Sequence, residues 1–496
     1  MPKQQVFYLH PYGWENDPEE ERFKLSTLDY LPACSYLNFA LFFKLDDYIL
    51  DDEQKGEAVE ILKLGLERTI SQVRHVCGTI EKDEGGGHTF AKKKDSTVKF
   101  VVQHLDSPDD ENVYPSFEDI EKKNFTSAAL GDLRLWSADP IMTWGGKPEA
   151  HPDRSPPVAA FKVNLIQGGI VFNMHFHHYA ADVMGWAGFT HQLAEQCKAA
   201  FHSTSFPGWD PRCNDLSRLT KPEPAEEAKI DLPPRPQRHP AHAWPSSMYL
   251  FHLPKSKAAE LKKRAEPPSE DGSWISTYDA FSALIWRTMT RLRAPVYKPD
   301  MASSPYWAEA IDMRRRMHSP KVHPRTQRNV ISKAASDAGP VPAPTMAEVV
   351  SDSEWPLWRL ASYVRQLTDS ATQEKLDSTL DFVATVHDKT TINVRVDSKP
   401  PMSIQQTDHR EVKMGAADFG FARPYMYRHL SDFITEGLIL VYPPRSGKPG
   451  SDEGYEFSIT YEDHLVQALI EDPEWCRYFE YRGVEAVSAA SLKKRV

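Results

Sequence analysis

The sequence predicts an α/β protein built from two domains, or from two halves that pack face to face. At 496 residues the chain exceeds the size at which a single core stops growing. Helix-like and strand-like hydrophobic periods are mixed along its length. A segment rich in proline and charge divides it as a long extended crossover. We therefore expect a first subdomain over residues 1–220, a crossover linker over 221–245 and a second subdomain over 246–496.

The first half contains a predicted helix and a predicted hairpin. Apolar residues recur at three- to four-residue spacing over 53–77, which predicts an amphipathic helix that lies on a sheet. Two apolar runs, 158–166 and 170–178, are separated by the turn QGG and predict a β-hairpin. Helical spacing resumes at Trp186. The segment HHYAAD (177–182) is therefore expected to lie between the end of a strand and the start of a helix.

The second half is predicted to add helices and short strands. Ser276 and Asp279 resemble a capping box at the start of a helix that continues to about Leu292. A further helix is expected over about 356–379. Strand patterns occur over five short ranges: 306–313, 379–386, 391–397, 436–442 and 455–461.

Charge and cysteine content argue against several classes of protein. The chain carries 59 basic and 70 acidic residues, a net charge of −11, and has no basic stripe, so a nucleic-acid partner is not expected. Five scattered cysteines without a CxxC pair argue against a disulfide framework or a structural zinc site and favour a reducing compartment. The N-terminal segment lacks an apolar signal region, and no run approaches the roughly 18 apolar residues of a spanning helix. We expect a cytoplasmic protein without membrane insertion.

His177, His178 and Asp182 are the residues that most directly indicate chemistry. An imidazole that titrates near neutrality at the end of a strand can accept a proton from an attacking hydroxyl or amine. The H-x-x-x-D pattern alone fits equally well a histidine that makes ordinary hydrogen bonds. A metal site is a further alternative because His175 lies close by. On a strand, however, His175 and His177 share a face and His178 points away, so no metal is expected.

Several segments together resemble one enzyme family. HHYAADVMG (177–185) is similar to the HHxxxDxxG signature of BAHD-type and chloramphenicol-acetyltransferase-like acyltransferases. DFGFARP (418–424) resembles the second signature, DFGWGKP, and segments 276–293 and 310–317 follow in the family's order. The segment 176–197 most resembles the fungal branch of trichothecene 3-O-acetyltransferases.

The resemblance implies a fold and a reaction. The fold would be two chloramphenicol-acetyltransferase-like subdomains, with mixed sheets and flanking helices, and a catalytic histidine in a channel at their interface. The reaction would be acyl transfer, with acetyl as the first expectation, from an acyl-CoA co-substrate to a hydroxyl or amine of a small-molecule secondary metabolite. No bound cofactor or partner subunit is implied, so we expect a monomer. Because peptide-synthetase condensation domains share HHxxxD, a condensation-like or non-catalytic binding module is the alternative.

The resemblance also implies roles for residues of the first signature. His178 is expected to be the general base, and Asp182 a member of the catalytic motif that forms a structural ion pair with an arginine. Arg314 is the first choice for that arginine and Arg316 the second. His177 is expected to support the motif.

Other implied roles concern the channel. Gly185 would bring backbone close to the channel, since glycine tolerates positive φ and has no obstructing side chain. The family's Ser-Trp pair, whose hydroxyl often faces the reacting centre, falls at Asp408 and His409, or at Ser403 and Ile404, so the oxyanion-stabilising residue stays unassigned. The second signature is expected to hold a loop near the coenzyme entrance through Asp418, Phe419 and Gly420.

Overall fold

Two large β-sheets, each covered by helices, organise the protein. The computed structural model describes residues 2–45, 52–107, 113–143, 148–234, 236–268, 274–392, 395–446 and 450–487. Residues 488–496 of the expected second subdomain, residue 235 of the expected crossover and residues 393–394 of the strand predicted over 391–397 lie outside these ranges.

The strands and helices follow one another along the whole chain. The strands are β1 (Gln4–Leu9), β2 (Glu20–Lys24), β3 (Tyr36–Lys44), β4 (Thr79–Lys82), β5 (His88–Lys93), β6 (Val98–His104), β7 (Ala159–Ile166), β8 (Gly169–His177), β9 (Ser246–Leu253), β10 (Trp307–Asp312), β11 (Ile331–Ala335), β12 (Ile404–Asp408), β13 (Met426–His429), β14 (Leu438–Tyr442), β15 (Tyr455–Glu462) and β16 (Glu480–Val487). The helices are α1 (Asp52–Gln72), α2 (Phe117–Lys122), α3 (Ser127–Leu130), α4 (Leu133–Trp136), α5 (Val183–Phe201), α6 (Lys255–Arg264), α7 (Thr277–Tyr297), α8 (Met346–Val350), α9 (Leu357–Asp369), α10 (Gln373–Thr385), α11 (Val466–Ile470) and α12 (Pro473–Tyr478).

Each half of the chain supplies most of one mixed sheet. The first sheet has the order β1-β6-β7-β8-β3-β13, and the second has the order β11-β10-β12-β14-β15-β9-β16. Three further strands form a small sheet in the order β2-β5-β4. Strand β13 comes from the second half of the chain, yet it pairs antiparallel with β3 at the edge of the first sheet. This exchanged strand joins the two halves next to the site described below.

The predicted hairpin and the helix that follows it are confirmed. Strands β7 and β8 pair antiparallel across a tight turn at residues 167–168, where Gly168 has a φ of +77°. All residues of both strands are buried, and most of them are apolar. Strand β8 ends at His177 and α5 begins at Val183. The intervening loop therefore carries His178 and Asp182.

The helices bury one apolar side against each sheet. Leu62, Leu66 and Ile70 of α1 and Phe189 and Leu193 of α5 are buried in one core with the first sheet. The predicted capping box of α7 is present, because Ser276 and Asp279 bond reciprocally to each other's backbone N–H groups. Helix α7 packs in a second core with the second sheet and α9.

Two predicted strands of the second half are wrong, and one predicted helix is divided. The helix expected over 356–379 is divided into α9 and α10, and the strand expected over 379–386 is the end of α10. Buried Leu376, Leu380 and Val383 recur at helical spacing, which outweighs the local strand-like composition. The described part of 391–397 forms short 3-10 turns instead of a strand. The strands predicted over 306–313, 436–442 and 455–461 are confirmed as β10, β14 and β15.

The structure bears on the membrane prediction in one respect. Within the described ranges, no helix has both the length and the apolar character that crossing a membrane requires.

Candidate active site

A cavity of about 250 Å³ lies between the two halves. The first half contributes the loop before β3, part of β3 and the loop that carries His178. The second half contributes one face of β10, β11, β12 and β14, together with the end of β13. A row of laterally adjacent residues crosses that face in the order Lys333, Ala310, Thr407 and Leu440.

The imidazole of His178 lines this cavity in a defined tautomer. Its Nδ1 lies 3.0 Å from the carbonyl oxygen of Ala181, and its backbone N–H donates to Ser35 at 2.8 Å. Because a carbonyl oxygen can only accept, Nδ1 carries the proton and Nε2 keeps its lone pair. Burial lowers the pKa of His178 below the ordinary value for an imidazole. The ring is therefore neutral near pH 7 and offers Nε2 as a proton acceptor.

The loop that carries His178 is fixed by the carboxylate of Asp182. Its Oδ1 accepts from the backbone N–H of Gly185 at 2.6 Å, which caps α5, and its Oδ2 accepts from the N–H of Val330 at 2.7 Å. Both oxygens also face the guanidinium of Arg314, at 2.9 Å and 3.1 Å. Arg316, the second choice for this partner, donates instead to the carbonyl oxygens of Thr368 and Ala371.

Arg314 satisfies all five of its N–H groups. Nε donates to the carbonyl oxygen of Thr326 at 2.8 Å, while the two terminal nitrogens reach Asp182. The remaining two N–H groups bond to a carboxylate oxygen of Asp312 at 2.7 Å and to the carbonyl oxygen of Arg328 at 2.9 Å. Arg314 is 4% exposed and Asp182 2% exposed. A buried ion pair is stable only with such complete hydrogen bonding, because both charges are removed from water.

Gly185 is needed at its position for a different reason from the one expected. It lies in the first turn of α5, and its φ is not among the positive values of the described chain. A Cβ at this position would lie 2.4 Å from the carbonyl oxygen of Arg328 and 3.3 Å from a terminal nitrogen of Arg314. The expectation of positive φ is therefore wrong. The absence of a side chain allows α5 to approach the backbone of residue 328.

His177 and His175 are buried and use both ring nitrogens on backbone groups. Nε2 of His177 donates to the carbonyl oxygen of Ala150 at 2.8 Å, and its Nδ1 accepts from the N–H of Tyr179 at 3.1 Å. His175 bonds in the same way to the 138–142 segment. Burial lowers the pKa of each ring to about 3. Both rings are therefore neutral structural groups, and among the described residues no cluster of three metal-binding side chains occurs.

The second signature lies outside the lining of the cavity. Asp418 accepts from the N–H of Gly420 at 3.0 Å and forms an ion pair with Lys198 of α5 at 2.9 Å. Gly420 has a φ of +87°, and a Cβ there would lie 2.5 Å from the Cβ of Phe201. Phe419 is buried in the core beneath the first sheet. These three residues attach their loop to the C-terminal part of α5.

His409 is a second imidazole in the cavity lining. Its Nδ1 lies 2.9 Å from the hydroxyl of Tyr427, a residue of β13 that no sequence motif singles out. Burial lowers the pKa of His409 to about 4. The neighbouring carboxylate of Asp408 is paired with Arg410 at 2.7 Å, and its charge raises the pKa of His409 by less than burial lowers it. The cavity lining therefore contains three histidines, since His429 of β13 also contributes its ring, and burial lowers the pKa of each of them.

Comparison with known proteins shows what the chain is similar to. The model of the Transferase family matches residues 15–474. The chain is 64% identical over 485 residues to an acetyltransferase, FGR3, of Gibberella zeae, covering 98% of this chain and 95% of that protein. It is 26% identical over 453 residues to the trichothecene 3-O-acetyltransferase TRI101 of Fusarium sporotrichioides, covering 88% of this chain and 92% of that protein.

A solved structure is similar to the whole described architecture. It is that of F. graminearum TRI101 complexed with coenzyme A and T-2 mycotoxin, with a TM-score of 0.74 and 22% sequence identity. The match covers 93% of this chain and 100% of the other. The predicted fold class, an α/β protein with two chloramphenicol-acetyltransferase-like subdomains, is confirmed.

The ion pair of Asp182 leads to a test of stability. We expect Asp182→Asn to lower the free energy of unfolding by about 3 kcal/mol, near the lower limit for removing one member of a buried pair, because Asp312 still faces Arg314. Thermal unfolding and urea midpoints measure the loss. Asp312→Asn, which removes the more exposed of the two carboxylates, is the control and should cost less. A smaller loss for Asp182→Asn than for the control would show that this pair does not fix the loop.

Proposed function

The chain belongs to the Transferase family, and we propose that it transfers an acyl group, acetyl first, from acyl-CoA to a hydroxyl of a small-molecule secondary metabolite. The predicted family is thereby confirmed. The observation that carries the proposal is the neutral imidazole of His178, which lines a cavity formed by both halves with its Nε2 unprotonated. A condensation-like or non-catalytic binding module is not favoured by the 64% identical acetyltransferase.

His178 is proposed as the general base of the reaction. Nε2 removes the proton of the acceptor hydroxyl as its oxygen attacks the thioester carbonyl carbon, and a tetrahedral oxyanion forms. The oxyanion collapses, the carbon–sulfur bond breaks, and the departing thiolate takes the proton from His178. Proton transfer of this kind contributes about 10²- to 10⁴-fold to the rate. The hydrogen bond from Nδ1 to Ala181 keeps the ring in the tautomer that this step needs.

His409 is proposed as the donor that stabilises the oxyanion. The hydroxyl of Tyr427 makes one side-chain hydrogen bond among the described residues, to Nδ1 of His409. If that hydroxyl accepted, its own proton would be buried without a partner, so donation to Nδ1 is the satisfied arrangement. His409 would then carry its proton on Nε2. Because the rings of Phe39, His429 and Tyr442 also contact it, the donor is held before the substrate arrives.

The lining of the cavity supports an apolar acceptor. Its carboxylates are already paired, since Asp182 and Asp312 contact Arg314 and Asp408 contacts Arg410. Most of the remaining lining is aliphatic or aromatic, including Leu37, Phe39, Met184, Ile331 and Leu438. Such walls bind a lipophilic molecule and leave its reacting hydroxyl to the histidines. By similarity to TRI101, a terpenoid alcohol of the trichothecene type is a first acceptor to test.

The remaining expectations are part of the same proposal. We propose a monomer in the cytoplasm, and the reducing compartment is supported by five cysteines of which none forms a disulfide bond. We propose that the chain is divided into a first subdomain over 1–220, a linker over 221–245 and a second subdomain over 246–496. A 3-10 turn at Glu226–Ala228 and an isolated bridge at Ile230 are the regular features in the described part of that linker. His177, Gly185 and the loop around Asp418 are proposed to support the motif and channel.

Replacement of the base tests the proposal directly. The wild-type protein, incubated with a panel of acyl-CoAs and terpenoid alcohols, is expected to release CoA and form an ester. We expect His178→Ala to lower kcat by at least about a hundredfold with an unchanged circular dichroism spectrum. His202→Ala, at the exposed end of α5, is the matched control and should stay active. Near-full activity of His178→Ala would rule out this residue as the base.

The pKa of His178 gives a second test. The base works only when neutral, and burial lowers its pKa, so kcat/KM should rise with pH and reach half its plateau below pH 6.5. The measurement is a pH profile accompanied by Tm at each pH. That control is needed because buried His175 and His177 take up protons more readily when unfolded, so stability is lost as the pH falls below about 6.5. A half-plateau above pH 6.5 in folded protein would contradict a base whose pKa is lowered by burial.

The proposed oxyanion donor is tested by a set of three variants. His409→Ala should lower kcat by about 10²- to 10³-fold with little change in the KM for acyl-CoA, because the contact forms in the transition state. Tyr427→Phe should lower kcat by about tenfold, since the tautomer of His409 is then no longer fixed. Thr407→Val removes another hydroxyl from the lining and should cost less than His409→Ala. A larger loss of kcat in Thr407→Val than in His409→Ala would assign the role of oxyanion donor to Thr407.

A further inference from the structure

A second cavity, of about 220 Å³, lies beside the side chain of Arg328. It is lined by parts of β2, the end of α1 with the turn that follows it, the 214–216 segment and the side chain of Arg328. It shares no lining residue with the cavity of His178. Its volume is well above the roughly 10–15 Å³ that one water molecule needs. The reaction proposed above uses none of the side chains in this lining.

Arg328 adopts a backbone conformation that glycine would adopt more easily. Its φ is +83°, in the left-handed region where residues other than glycine are uncommon. The side chain is nevertheless 3% exposed, and its guanidinium lies 4.4 Å from the ring centre of Phe90. A strained position that keeps a large buried cation indicates that the side chain has a use.

The hydrogen bonding of Arg328 is incomplete, in contrast to that of Arg314. Its Nη2 donates to Asp29, while Nε is buried without a partner and no described residue is bonded to Nη1. Asp29 cannot supply more, because it already accepts three further bonds, from Ser26 and from the backbone and side chain of Asn329. Buried guanidinium groups normally have their N–H groups satisfied. The lining of the second cavity is where the missing acceptors can bind.

We propose that the second cavity binds a small oxyanion, a phosphate or a carboxylate, on the guanidinium of Arg328. The planar N–H fork of an arginine matches the oxygens of both groups. Lys24 adds a positive charge at the cavity, and no aspartate or glutamate is among its lining residues. Burial and the charge of Arg328 lower the pKa of His75, which also lines the cavity, so this ring is neutral and offers a hydrogen-bonding nitrogen.

The bound anion would stabilise the segment that carries the ion pair of the active site. The carbonyl oxygen of Arg328 accepts from Arg314 at 2.9 Å and from the backbone N–H of Asp182 at 3.5 Å. An anion that holds the side chain of Arg328 from one side also favours the strained backbone that these bonds require. Binding should therefore raise the stability of the protein. This inference does not depend on the proposed reaction, since it concerns different side chains and a different ligand.

Anion binding by the purified full-length chain tests the proposal. Inorganic phosphate and acetate are titrated calorimetrically, and Tm is measured with each salt against chloride at equal ionic strength. We expect binding and a rise in Tm of about 1–2 °C near saturation. Binding of phosphate alone identifies a phosphoryl ligand, and binding of acetate as well identifies a carboxylate-type site. Absence of binding and of any shift with both anions would overturn the proposal and leave a water-filled cavity.

Variants locate the site. Arg328→Gly keeps the positive φ without strain and should abolish the anion-dependent shift. Lys24→Gln should weaken binding several-fold, and Arg423→Gln, an exposed arginine elsewhere, is the control that should bind as the wild type does. Should Arg328→Gly fail to fold, Arg328→Lys retains the charge without the fork and is expected to weaken binding at least about tenfold. Equal binding by the wild type and the Arg328 variant that folds would overturn the assignment.

Discussion

The buried ion pair between Asp182 and Arg314 is the interaction on which the geometry of the site depends. It joins the loop after β8 in the first half to the segment after β10 in the second half. The same carboxylate caps α5 and accepts from Val330, so one side chain sets the start of a helix, the path of a loop and the contact between halves. The cost of burying both charges is offset because every N–H of the guanidinium is hydrogen-bonded. This complete hydrogen bonding requires the observed arrangement of Asp182, Arg314 and their partners. His178, four residues before Asp182, is positioned by that arrangement.

The histidines of the chain show how hydrogen bonding decides function among similar side chains. Both ring nitrogens of His175 and of His177 are hydrogen-bonded to backbone groups, so neither ring has a nitrogen left to exchange a proton with a substrate. His178 donates from one ring nitrogen to a carbonyl oxygen and keeps a lone pair on the other. One ring nitrogen of His409 is hydrogen-bonded to the hydroxyl of Tyr427, which is proposed to donate. The residue type alone is therefore uninformative. The partner of each ring determines whether it is structural, a base or a donor.

The sequence predicts what local periodicity and short motifs encode. The β7–β8 hairpin, the start of α5 and the capping box of α7 follow from spacing within a dozen residues, and all three are confirmed. The end of α10 is wrongly predicted as a strand over 379–386, because the helical spacing of Leu380 and Val383 is recognisable only together with Leu376, which lies in the helix predicted before it. Contacts between distant segments have no local signature. The pairing of β13 with β3, and of Tyr427 with His409, brings together residues whose proximity follows from the topology of both halves.

Electrostatics explain why the ion pairs and the base occur together. Burial lowers the pKa of His178, whereas the nearby carboxylate of Asp182 raises it. An unpaired carboxylate in the lining would strengthen the second effect, keep the imidazole protonated near neutral pH and remove its ability to accept a proton. Pairing Asp182 and Asp312 with Arg314 offsets the negative charge of both carboxylates near His178. The hydrogen bonds that shape the loop are retained. Arg314 therefore has two effects on the base: it fixes the position of His178 and helps to keep its imidazole neutral.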